Sequence, residues 1–177
     1  PPQPPAFLTA EKPRHRFELP PFFGRQKELT RLENFLNLAQ KGQGQVVFIT
    51  GGPGRGKTAL LDNFTRLVMK QHPGLLVASG KCNAYSGKGD PFLPFRDLMG
   101  MLTGDVEGLW DSGAITRDHA RRLWTALPMV IQILLADGRQ LLETIVSGEN
   151  LLSRAVNIEG SNAAWIPELR ELIARQR

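Results

Sequence analysis

The residues of this sequence best suited to chemistry run consecutively from 51 to 58: Gly51, Gly52, Pro53, Gly54, Arg55, Gly56, Lys57 and Thr58. They fit G-x-x-x-x-G-K-[ST], the spacing of a phosphate-binding P-loop. A polyphosphate carries several negative charges, so a loop that holds it must present many donors with few side chains in the way. Glycines at 51, 52, 54 and 56 permit close backbone approach. Successive backbone N–H groups then form a concave nest for an anion. The first turn of a following helix adds free donors and a partial positive charge. Lys57 supplies a point charge for the β- and γ-phosphates, and the Thr58 hydroxyl is the expected magnesium ligand. Arg55 stands at a variable position of the motif and is expected to face solvent.

Such a loop needs a strand before it and a helix after it. Val46, Val47, Phe48 and Ile49 make residues 45–50 apolar on both faces, which predicts a strand buried on both sides of a parallel sheet. Leu60, Phe64, Leu67 and Val68 form one stripe and predict a helix over 57–71, ended by His72-Pro73-Gly74. Upstream, Leu29, Leu32, Leu36 and Ala39, flanked by Phe35, predict a helix over 26–40 that stops at Gly42 and Gly44. Downstream come a second predicted strand over 75–80, a polar Gly-rich loop over 81–90 and a helix over 95–102. From 105 onward the pattern predicts helices only, over 105–110, 116–126, 128–136, 139–146, 149–156 and 163–176. Ser112-Gly113, Gly138, Ser147-Gly148 and Gly160-Ser161-Asn162 punctuate them.

The chain has 177 residues, enough for one domain with a core, and its 41% hydrophobic and 22% charged content is that of an ordinary soluble protein. A single cysteine, Cys82, rules out an internal disulfide and fits a reducing, cytoplasmic compartment. The longest apolar run, Met129 to Ala136, is interrupted by Gln132 and too short to cross a membrane, so no membrane partner is expected. Residues 1–21 hold prolines at 1, 2, 4, 5, 13, 20 and 21, which predicts an extended linker or arm without helix. The chain starts at Pro1, which leads to the expectation that it is cut from something longer. The net charge of +5 is scattered, with its densest set at Lys12, Arg14, His15 and Arg16. A solvated surface is the expectation there, and a nucleic-acid contact is left open. One cysteine and histidines 15, 72 and 119 lack zinc-ligand spacing, and no G-x-S-x-G elbow is present. No N-K-x-D guanine-reading motif is present either, which favours ATP over GTP.

Three stretches, PPFFGRQKEL from residue 20, VVFITGGPGRGKTALL from residue 46, and GKCNAY with PFLPFRDLM between 80 and 99, resemble the start of the AAA-type ATPase module of bacterial signal-transduction NTPases. Those STAND-like proteins are cytoplasmic multidomain regulators related in this module to origin-recognition ATPases. The resemblance is dense over residues 20–103. It implies an α/β P-loop NTPase fold, three layers with a parallel sheet, of which this chain holds the N-terminal portion. The implied organisation is a Pro-rich arm over 1–21, the NTPase portion over 22–104, and a helical insertion over 105–177 ahead of an acidic strand. The resemblance also implies ATP and Mg2+ as cofactors. Its implied partners are TPR-like or effector domains of a longer chain and a nucleotide-dependent oligomer. Gly24 and Arg25 are the implied adenine-side contacts. Phe92 to Met99 would belong to a helix covering the sheet, and Cys82 would be a small buried residue.

Hydrolysis needs an acidic strand, four apolar residues and then an aspartate, to hold magnesium. Ile133-Leu134-Leu135-Ala136-Asp137 has that pattern. Pro128 and Gly138, however, sit where a helix starts and stops, and no acid follows Asp137, so a helix is expected. Glu143, Glu149 and Glu159 have no spacing that makes them stand-ins, and no catalytic residue is assigned. The expectation is an ATP-binding module in which nucleotide acts as a conformational switch, within a larger signalling or transcription-regulatory ATPase that hydrolyses slowly. The alternatives are a small-molecule P-loop kinase, which Asp137 in a strand would favour, and a DNA-binding ATPase of origin-recognition type. A degenerate scaffold that binds no nucleotide is the weakest, given intact Lys57 and Thr58.

Overall fold

The computed structural model describes residues 5–9, 24–82, 90–146, 148–160 and 162–175. The helices among them are α1 Ala6–Thr9, α2 Gln26–Gln40, α3 Lys57–Gln71, α4 Leu93–Leu102, α5 Glu107–Asp111, α6 Arg117–Asp137, α7 Arg139–Thr144, α8 Gly148–Glu159 and α9 Ile166–Ala174. The chain divides into two compact units, Pro1–Arg14 with Leu76–Arg177, and His15–Leu75.

The expected parallel sheet is absent: no strand occurs among the described residues, and their regular structure is helical. The α/β three-layer reading is therefore corrected. An apolar run states a demand for burial but does not supply the neighbour whose ladder bonds make a strand. Residues 45–50 have no ladder, and Val46 and Phe48 stand 84% and 85% exposed. The second segment spends its backbone groups on side chains instead. The Val77 carbonyl accepts from His119 Nε2 at 2.7 Å, the Ser79 N–H meets Met101 Sδ at 3.4 Å, and the Lys81 N–H donates to Asp97 Oδ2 at 3.3 Å.

In the His15–Leu75 unit, α2 and α3 run parallel. At one end the residue before α2, Arg25, bonds the loop that leads into α3. At the other, Gln40 Nε2 lies 3.2 Å from His72 Nδ1. Leu29 and Leu32 of α2 close on Leu60 of α3, with Ile49 and Phe64 half-buried beside them. Both helices begin and end where their periodicity and flanking glycines predict.

The other unit is built around α6. Ala120, Leu123, Trp124, Leu127, Ile131, Leu134 and Leu135 form one buried stripe along it. α1, α4, α5, α7 and α8 pack against this helix, while α9 packs on α7 and α8. Thr116 caps it by accepting from the His119 N–H at 3.2 Å. Two helices were expected here, the second starting at Pro128, and the structure has one that runs through it. An interior proline costs about 3 kcal/mol. Each fully buried Leu or Ile contributes about 1.5–3 kcal/mol, so Leu127 and Ile131 on either side of Pro128 offset that cost. Asp137 is the last residue of α6 and Gly138 follows it, as the helical reading of this stretch requires.

Three further expectations are corrected. The Pro-rich head holds a helical turn, α1, in the proline-free gap after Pro5. It is pinned by Phe7 against Trp110 and Trp124, with ring centroids 6.0 and 6.1 Å apart, and by Arg117 Nε donating to the Leu8 carbonyl at 2.7 Å. The α4 helix covers α6 rather than a sheet, and Phe92 and Phe95 at its start are exposed. Cys82 is exposed, not buried.

Candidate functional site

The glycine-rich loop leads straight into α3. Pro53 and Gly54 form its turn, and Gly56 is the N-cap of α3. Gly54 and Gly56 adopt φ of +68° and +73°, the left-handed region that side chains with a Cβ disfavour. Nothing lies within 4 Å of a Cβ built on Gly54, and one on Gly56 would meet only Arg25 Nη2, at an ordinary 4.0 Å. Conformation, not crowding, is what calls for glycine there. No side chain caps the N-terminus of α3. The first N–H groups of a helix have no intrahelical partner, so the donors of Lys57, Thr58 and Ala59 remain available to an anion.

Lys57, the first residue of α3, turns back on the loop. Its Nζ donates to the Gly51 carbonyl at 2.7 Å and to the Gly52 carbonyl at 2.9 Å. The ammonium thus ties residue 57 to the start of the loop and stays beside the loop it serves. Thr58, one position on, is exposed, as are Gly51, Gly52, Pro53, Gly54 and Arg55. The exposure of Arg55 is what its variable position predicts.

Arg25 joins this group. It precedes α2, is partly buried, and its Nη2 donates to the Arg55 carbonyl. Because α2 and α3 are parallel, their N-termini converge here. Two helix dipoles, one ammonium and one guanidinium therefore make a positive locus around 51–58. Gly24, with φ +88°, is exposed at the same corner with open space around it. Sequence reasoning singled out Arg25 but not its bond to the loop. Its partner is 30 residues away, and no local pattern signals such a pair. The folded-back position of Lys57 was missed as well.

The donor set fits a polyphosphate with a divalent cation. The N–H groups at the uncapped start of α3 and the Lys57 ammonium would hold the anion, and the exposed Thr58 would offer its hydroxyl to the cation. Asp137, by contrast, closes helix α6 and belongs to no strand. Among the described residues no three of His, Cys, Asp and Glu gather as a metal site. The side chains of Glu143, Glu149 and Glu159 lie outside the described residues. No helix among the described residues is long and apolar enough to cross a membrane.

A family model described as an AAA ATPase domain matches residues 21–141, more than half of the chain. Its span takes in Arg25, the whole 51–58 loop and α6. No match was found among curated proteins or among solved structures.

Proposed function

From the premise that the chain belongs to the AAA ATPase domain family, a family of nucleotide-binding modules, we propose that residues 51–58 bind ATP with magnesium and that the nucleotide acts as a conformational switch. The observation that carries this reading is the loop itself. Gly54 and Gly56 hold left-handed φ, the loop opens on the uncapped N-terminus of α3, and Lys57 is already tied across it. In this reading the loop N–H groups and Lys57 hold the phosphates, and Thr58 contributes its hydroxyl to the cation. Gly24 and Arg25 mark the adenine side. When bound, magnesium would neutralise phosphate charge and polarise the terminal phosphoryl group. The choice of ATP over GTP rests on the missing guanine-reading motif.

The wider role follows from the resemblance in residues 20–103: a cytoplasmic signalling or transcription-regulatory ATPase, hydrolysing slowly, whose bound state is passed to other domains. A kinase acting on a small molecule loses its one supporting observation, because Asp137 is helical. Calorimetry with magnesium-ATP, wild type against Lys57→Ala, with phosphate release followed in parallel, tests the proposal. Loss of the Lys57 ammonium beside the phosphates should weaken binding on the order of 100-fold. Undiminished binding by Lys57→Ala would contradict it.

A further inference from the structure

Arg25 occupies the N-cap position of α2 with φ −122° and ψ 38°, and its side chain makes no capping bond to that helix. The guanidinium is committed to the phosphate loop, where Nη2 donates to the Arg55 carbonyl. Its Nη2 also stands 4.0 Å from where a Cβ on Gly56 would lie. The peptide joining Arg55 to Gly56 is trans, so its C=O and N–H point in opposite directions. Holding the carbonyl toward Arg25 turns the Gly56 N–H the other way. That N–H sits at φ +73°, one residue ahead of α3, in the row of donors a phosphate would meet.

We propose that Arg25 is a positioning residue for the phosphate loop: by bonding the Arg55 carbonyl it sets the orientation of the 55–56 peptide and so aims the Gly56 N–H at the bound phosphate. This inference rests on the nucleotide-binding reading above and changes what Arg25 is for. A base contact would make its contribution depend on adenine. A grip on the loop makes its contribution depend on phosphate alone. Arginine suits the task because it is always charged and presents donors in a fixed fork, so one bond to the loop also fixes its plane. A lysine keeps the charge and can donate from its ammonium but loses the planar fork.

The experiment uses the 177-residue chain and two probes, magnesium-ATP and magnesium with inorganic tripolyphosphate, which has no base. Calorimetry on wild type, Arg25→Ala and Arg25→Lys is paired with the 15N shift of the Gly56 amide in ligand-free protein and with thermal melting. Losing a charged hydrogen bond to the loop should weaken both ligands by the same factor, about tenfold, with Arg25→Lys recovering part of it. The Gly56 resonance should move in Arg25→Ala while melting stays at the wild-type temperature. Three results would overturn the inference: a loss confined to ATP, an unmoved Gly56 amide, or a loss that accompanies lower melting. Wild type binding neither probe would overturn the nucleotide reading itself, and this inference with it. That failure is visible without any Arg25 variant, so the two are distinguishable.

Discussion

Leu127 on α6 and Phe48 ahead of the phosphate loop are both large apolar side chains, and the molecule treats them in opposite ways. Leu127 is fully buried, and Phe48 is 85% exposed. The contrast extends to the units that hold them. The unit around α6 has a continuous core running through Met99, Val106, Leu123, Ile131, Leu151, Ile166 and Leu169. The His15–Leu75 unit closes its core with Leu29, Leu32 and Leu60. Polar groups follow the same division. In the first unit Arg154, whose burial pulls its pKa below the usual arginine range while Asp105 opposes, donates to the Thr103 carbonyl at 2.9 Å. In the second, Thr58 and the glycine loop are exposed, and Lys57 folds back to donate to the Gly51 and Gly52 carbonyls. Elements that bind and respond to ligands are drawn from the low-stability part of a protein. Here the site sits on the thinly packed unit.

The largest expected effect that would break this comparison is at Leu127. Truncation to Ala leaves a cavity in the α6 core and should cost about 3 kcal/mol. All three tryptophans, Trp110, Trp124 and Trp165, lie in that unit, so their fluorescence in a denaturant titration reads it directly. A cost under about 1 kcal/mol, the size expected of a surface site, would mean that α6 does not organise the core. Next comes Gly56→Ala. A left-handed φ costs a residue with a Cβ about 1–2 kcal/mol, and the nearest atom to a Cβ on Gly56, Arg25 Nη2 at 4.0 Å, is in ordinary contact, so conformation sets the cost. It should appear as five- to thirtyfold weaker nucleotide binding, read by calorimetry. Thr116→Ala removes the cap of α6 and should lower stability by about 1 kcal/mol in the same fluorescence titration. The smallest effect belongs to Phe48→Ser, which should change stability by less than about 0.5 kcal/mol, measured by circular dichroism during urea unfolding. A large loss there would show Phe48 to be packed after all.

What was legible in the sequence was local. The phosphate loop is eight consecutive residues, and the bounds of α2 and α3 follow from periodicity and glycines within a few positions. Two failures came from pairing at a distance. Residues 45–50 read as strand because they are apolar, but strand formation depends on a neighbour that no local pattern reports. Arg25 was marked by resemblance, while its bond to the Arg55 carbonyl was invisible. The third failure was a local rule overridden by packing. Pro128 reads as a helix start, yet the stripe from Ala120 to Leu135 carries α6 straight through it. The buried reading of Cys82 rested on resemblance alone, and Cys82 is exposed.

The central claim is the proposal that residues 51–58 bind nucleotide and that the bound nucleotide acts on the unit that carries them. Hydrogen exchange with and without magnesium-ATP, on wild type and Lys57→Ala, tests it most directly. The prediction is slowed exchange in wild type at the amides of 51–59 and along α3, with α6 already protected and unchanged, and no slowing in Lys57→Ala. Equal protection in the variant, or none at the loop in wild type, would contradict it.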